Sequence, residues 1–341
     1  MDLLAGALNY IVFFSITAVI YAILSLGLNI QWGYTGLFNI GVAGFFAIGA
    51  YSSALISGPP PAAIDWRIIG GFELPFVVGM LGGAVAAGLA AAIISLPTLR
   101  LKEDYLAITT VGIAEAIRLI AKQESWLTNG VFGITNIPAP LYQPINNAID
   151  GFLAAHPNLP EWLIRLIGNG YNWFFLLLVV LFLLIAYLAI EKIIRSPWGR
   201  VLAAIREDET VAKVSGKNVF GFKVQSMVLG AMLMGAAGSF YAHFAMAISP
   251  SDFKPLMGTF IVWVMLIAGG SGNNKGAILG AFTIWGIWAG SGFLGGYLPI
   301  SDTRTAALRI VIIGLLLEVI LLNRPEGLLG EEKGISKLLE K

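Results

Sequence analysis

The sequence predicts an all-α, polytopic transmembrane helical bundle, and three observations carry that prediction. Of 341 residues, 57% are apolar and only 12% charged, where a soluble domain has about 25% charged residues. Mean hydropathy is +0.81, so such a chain cannot clothe a water-facing surface. Apolar runs close to the ~20 residues that carry a helix across a bilayer recur along the whole length. Helices are expected because open sheet edges cannot be satisfied in hydrocarbon. A barrel would alternate polar and apolar residues, and 174–186 does not alternate.

The runs lie at about 8–30, 36–56, 74–96, 105–121, 172–192, 224–247, 257–270, 276–298 and 306–323. They predict about nine spans, within a range of eight to ten. The run at 257–270 is short for a crossing. No basic stretch or small-residue cleavage site marks the first run as a signal peptide, so it reads as a retained span. Residues 27–49 interrupt their apolar signal with glycine, Asn29, Gln31, Thr35 and Asn39. A broken or re-entrant helix is expected there, and one further crossing would move the N-terminus to the other side.

Basic residues orient the bundle, because cytoplasmic loops collect Lys and Arg. Fourteen of the 21 fall on one side, including Arg100, Lys192, Arg200, Lys213, Lys275 and Arg324. Five fall on the other side, and Arg118 and Arg309 lie within spans. The split fits an outer N-terminus and an inner C-terminus. Residues 1–330 then form one transmembrane domain, with a proline-rich outer loop at 122–171, a charged inner loop at 193–223 and an inner tail at 331–341.

Several function classes drop out. Net charge is +1, so no basic stripe exists to neutralise nucleic-acid phosphates. Cysteine is absent and only His156 and His243 occur, which leaves no zinc, disulfide or thiolate chemistry. The stretch 269–276 is glycine-rich but lacks the Gly-Lys-Ser/Thr ending of a phosphate loop. No nucleophile elbow or His-Glu-x-x-His pair is present. Any uphill transport needs an engine on another chain, and no cofactor is expected on this one.

The remaining candidates are polar or small residues within spans, and one charged loop. Gly79, Gly83, Ala87 and Ala91 step by four in the third span, as do Ala231, Gly235 and Ser239 in the sixth. Such faces let helices pack closely, and a closely packed face could also slide. Glu115 and Arg118 share a helical face in the fourth span and can pair. They read either as a structural ion pair or as part of a translocation path. Glu318 stands alone near the inner end of the ninth span, where a carboxylate reaching water is the simplest reading. Asn29, Gln31, Thr35 and Asn39 are path-lining candidates, with helix-to-helix hydrogen bonding as the rival reading.

The 193–223 loop is the most informative segment. Pro197 and Trp198 leave the fifth span, and Val201, Leu202, Ile205, Val211 and Val214 recur at helical spacing around charged 206–209. Two short amphipathic helices closed at Gly216 are expected. They would dock another protein; a helix lying on the lipid surface is the rival, disfavoured by the mixed charge.

At this point the chain resembles the LivM-like branch of the branched-chain amino acid permeases of bacterial ABC importers (the LivH/LivM permease family). The resemblance rests on 28–56, 99–118, 196–219 with its Ala204-Ile-Arg-Glu-Asp-Glu core, and 309–330 ending Asn323-Arg-Pro-Glu-Gly. It implies a permease without ATPase activity in an inner (plasma) membrane of a bacterium or archaeon. The implied partners are two cytoplasmic ABC ATPases that bind the ATP, a second related permease, and a periplasmic or extracellular solute-binding protein. On that resemblance Gly199, Arg200, Ala204, Ile205, Arg206, Glu207, Asp208, Glu209, Ala212 and Gly216 would couple the bundle to the ATPases. One departure stands out. The importer signature Glu-Ala-Ala…Gly aligns with Thr210, Val211, Ala212 and Gly216, so the glycine spacing survives and the glutamate does not. Branched-chain or other aliphatic amino acids are the expected solutes, with urea, short amides or polar amino acids as rivals. A secondary transporter or channel is the rival from another class.

Overall fold

A computed structural model of the chain describes residues 2–61, 67, 69–156, 159–295 and 302–330. Among these the architecture is all-α, with a single isolated antiparallel bridge between Ile134 and Ile248. The expected tail at 331–341 lies outside the described residues.

Among the described residues nine helices follow the nine apolar runs. They are α1 (Asp2–Gln31), α2 (Val42–Ser57), α3 (Phe76–Thr98), α4 (Glu103–Gln123), α8 (Gly170–Ile194), α11 (Val219–Ala245), α12 (Ile261–Gly269), α13 (Asn274–Gly295) and α14 (Asp302–Asn323). Short helices fill the two long connections. In 122–171 these are α5 (Ser125–Thr128), α6 (Tyr142–Ala155) and α7 (Glu161–Gly168), and in 193–223 they are α9 (Pro197–Glu207) and α10 (Glu209–Val214). Four helices among the described residues, in α1, α3, α8 and α11, are long and apolar enough to cross a membrane by composition alone.

Helix bounds follow the apolar runs with two physical exceptions. The run at 36–56 becomes helical only at Val42, because residues 32–41 turn instead of coiling. The short run at 257–270 is lengthened by a π-helical turn, Leu256–Phe260, that feeds α12.

Helices α1 and α11 form the centre of the bundle. Val12, Ile16, Ile20, Ile23, Leu26 and Leu28 of α1 are buried, and its neighbours are α11, α13, α8 and α12. The perimeter helix α8 buries one stripe, Tyr171, Phe175, Val179, Leu183, Ala186 and Ile190, at the three-to-four spacing of one helical face. Its exposed side is Leu177, Val180, Leu181, Leu184, Ile185 and Leu188, the composition that suits lipid.

The tightest joint is α2, α3 and α11. The face of α3 that packs inward is Gly79, Gly83, Ala87, Ala91 and Ser95, and Ala231, Gly235 and Ser239 are buried on α11. A Cβ on Gly49 would lie 2.1 Å from the Gly235 carbonyl oxygen, and one on Gly238 would lie 2.1 Å from that of Phe46. Here backbone meets backbone, the small-residue contact through which membrane helices associate.

The residues that alternation assigns to the basic side gather at one end. Residues 29–36, 99–106, 191–223, 270–275 and 326–330 meet there through Arg206 on Gly33, Asn274 on Glu191 and Asn273 on Gly330. At the opposite end, Ile134 pairs with Ile248 and the Ile137 amide donates to the Met246 carbonyl. His243, fully buried near the end of α11, ties that assembly together. Its Nδ1 donates to the Pro138 carbonyl at 2.6 Å and its Nε2 lies 3.0 Å from Ser53 Oγ on α2.

Candidate functional site

The basic end contains an interruption in the helices and a helix pair that grips it. The interruption is residues 32–41. Breaking a helix inside a bilayer strands backbone amides that must find partners within the protein. Through Asn39 the amides here turn back on nearby carbonyls, among them Tyr34 on Asn29 and Leu37 on Gln31, and where the chain enters α2 side chains take over. The Ile40 amide donates to Thr110 Oγ1 at 3.0 Å, Gly41 to Asn39 Oδ1 at 2.8 Å, and Ala43 to Thr259 Oγ1 at 3.0 Å. Trp263 Nε1 donates to the Asn39 carbonyl at 3.1 Å, within a cluster of Trp32, Phe38 and Trp263 rings.

The four polar residues singled out in this stretch are brought together and buried. Asn29 accepts from the Gly272 amide at 2.9 Å and donates to Asn274 Oδ1 at 3.0 Å. Gln31 donates to the Met227 carbonyl of α11 at 2.9 Å and accepts from Asn39 Nδ2 at 2.7 Å. The hydroxyls of Thr35 and Ser226 lie 2.7 Å apart and both reach the Ile30 carbonyl. Together they tie the interruption to α11 and to the turn before α13.

The loop at 193–223 folds as two short helices. Ser196 caps α9 by accepting from the Trp198 amide at 3.2 Å, with Pro197 at the first helical position, where its missing N–H costs nothing. Asp208 caps α10, its Oδ1 accepting from Thr210 and Val211 amides at 2.7 and 3.0 Å. This capping role is one the charged run conceals, although an Asp just ahead of a short helix is the signal for it. Gly216, at φ +77°, follows the last turn of α10 as a left-handed terminator.

The ten loop candidates divide by direction. Gly199, Ile205 and Ala212 are buried against the bundle, where Ile205 and Ala212 pack with Val219. Arg200, Ala204, Glu207, Asp208, Glu209 and Gly216 face outward, and Glu209 pairs with Lys223. Val211 and Val214, at 60% and 84% exposure, add two apolar side chains to that outward face. Arg206 turns inward: its guanidinium donates to the Gly33 carbonyl, and its Cγ would sit 3.3 Å from a Cβ on Gly36. A polar cavity of about 270 Å³ lies between this contact, Leu99–Leu106 and Lys223.

Glu115 and Arg118 stand apart from both. They form a two-pronged ion pair on α4, with Arg118 Nε 2.8 Å from Glu115 Oε2. The pair is partly exposed on the perimeter, Glu115 more than Arg118, beside exposed Ile108, Gly112, Ala116 and Leu119. Among the described residues no group of three or more His, Asp or Glu is placed to hold a metal.

Comparison with known proteins agrees with this architecture. The family described as branched-chain amino acid transport system / permease component matches residues 10–321. A probable branched-chain amino acid transport permease protein LivM of Methanocaldococcus jannaschii is 28% identical, with 94% of each chain covered. The high-affinity branched-chain amino acid transport system permease protein LivM of Escherichia coli is 30% identical over 78% of this chain and 60% of its own length. A nucleoside ABC transporter permease protein NupC of Lactococcus lactis is 23% identical over 77% of this chain. No solved structure matches significantly. With a family match spanning nearly every long helix, the chain belongs to the branched-chain amino acid transport system permease components.

Proposed function

We propose that the chain is the membrane-spanning permease subunit of an ABC importer for branched-chain or other aliphatic amino acids. It takes its driving force from ATP bound and hydrolysed on two separate cytoplasmic subunits. The observation that carries this reading is the α9–α10 pair. It is anchored inward by Ile205, Ala212 and Arg206 and turns Val211, Val214 and a mixed-charge row outward at the basic end. That end is read as cytoplasmic, so the pair is presented where an ATPase would meet it. The 122–171 segment at the other end would receive a solute-binding protein. A second, related permease would complete the path, with Glu115 and Arg118 turned toward it, because an ion pair left in hydrocarbon is costly.

The solute is drawn from the two LivM relatives. The likeness to a nucleoside permease favours a second reading, the same machinery carrying a nucleoside. Reconstitution with the partner subunits in liposomes tests both readings. Leucine uptake that requires ATP and the binding protein is expected, and uptake of uridine but not leucine would transfer the assignment. Val211→Asp with Val214→Asp is expected to release the ATPase during purification; full retention would count against the docking face.

A further inference from the structure

We propose that Arg206 is a positioning residue that fastens α9 to the 32–41 interruption, so that the two move as one body during transport. The inference rests on α9–α10 being the ATPase-facing element, and it concerns the opposite side of that element. The side chain of Arg206 is only 23% exposed: one guanidinium nitrogen pairs with Glu207 at 3.2 Å, while the rest of the group turns inward from the row formed by Asp208 and Glu209. It makes two contacts on two different residues of the interruption. Its guanidinium donates to the Gly33 carbonyl, and its aliphatic stem lies over Gly36.

Both receiving positions are shaped for it. A Cβ on Gly33 would fall 2.0 Å from Asn29 Oδ1 and 2.5 Å from the Gly272 amide, so that residue can offer only its backbone. Gly36 has φ +74°, a conformation that L side chains disfavour, and a Cβ there would press on Arg206 Cγ. The guanidinium is planar and holds several donors in a fixed fork, whereas a lysine ammonium is a mobile point charge. Beyond the contact, Thr35 of the interruption and Gln31 at the end of α1 reach α11, and Asn29 in the last turn of α1 reaches the turn before α13. Helix α9 also touches the start of α11 directly, through Ile205 on Val219 and Trp198 on Gln225, so Arg206 is the contact that adds the interruption, and with it the turn before α13, to what a displacement of α9 reaches.

The test uses the complete importer in liposomes, with solute uptake measured per ATP hydrolysed. Arg206→Ala should keep its ATPase and hydrolyse ATP while uptake per ATP falls about tenfold or more. Arg206→Lys should fall between the two, and it carries the comparison should the alanine variant fail to fold. The chain has no cysteine, so Tyr34→Cys with Ala203→Cys, which line one cavity between the interruption and α9, can be bridged by a short bis-maleimide. Bridging should leave uptake intact in the otherwise unaltered chain and restore it in Arg206→Ala. Bridging that stops uptake would show that the two parts must slide, and would overturn the proposal. So would an unchanged uptake-to-ATP ratio in Arg206→Ala, or loss of the ATPase from that variant, which would make Arg206 a partner contact. ATP-independent uptake by the unaltered chain would instead overturn the importer reading, and this inference with it.

Discussion

Helix α11 is held in two different ways along its length. In its middle, Gly235 and Gly238 meet α2 and α3 backbone against backbone. Near its start, Ser226 and the Met227 carbonyl meet the interruption through the side chains of Thr35 and Gln31. The first joint works by excluded volume and admits no alternative arrangement at the same spacing. The second works by hydrogen bonds, which can be exchanged for other hydrogen bonds at little net cost. Stiffness is therefore concentrated at mid-height, and adjustability at the end where α9 attaches.

Four substitutions test that contrast, from the largest expected effect downward. Gly49→Leu should prevent the α2–α11 approach and cost more than about 3 kcal/mol, at or beyond the usual range for overpacking. Size-exclusion chromatography in detergent should find little monodisperse protein. Gln31→Leu should leave that joint standing but strand the Met227 carbonyl and the Asn39 amide, at about 1–3 kcal/mol, read as a lowered midpoint of thermal unfolding. Adding Asn39→Leu should cost less than the two single changes together, because contacting groups do not behave independently; strict additivity would mean the network is not one unit. Glu115→Gln should be the mildest at about 0–1 kcal/mol, as expected of a partly exposed perimeter ion pair. A cost equal to that of Gln31→Leu would place the pair in a buried setting within the assembly.

The same contrast explains what was legible in the sequence. Small residues at four-residue steps marked the buried faces of α3 and α11 correctly, because helical periodicity is a local property. Gly49 and Gly238 carry no local signal, since their importance depends on where two helices cross. The interruption is visible as polar residues and glycine at 27–49, while the start of α2 at Val42, six residues into the 36–56 run, is not. The interruption is stabilised by Thr110, Thr259 and Trp263, none of which is near in sequence. The candidate residues of 193–223 were found by amphipathic spacing and resemblance. Their division into inward and outward rows required the fold, because Arg206 is as polar as its neighbours and differs only in direction. His243 gave no signal at all, being a solitary histidine in an apolar run whose partners Ser53 and Pro138 lie far away in the chain.

The run of α11 from Val219 to Ala245 contains no proline, and at 27 residues it is about 40 Å long. One extremity carries His243, bonded to Pro138, and the other reaches Gln31 and Thr35. With its middle held against α2 and α3, such a rod pivots as a lever. Pressure applied where Pro138 sits should appear as displacement beside the interruption, and the reverse should hold equally. The two sides of the membrane would thus be in mechanical correspondence through a single rod, with no relay of successive side-chain rearrangements between them.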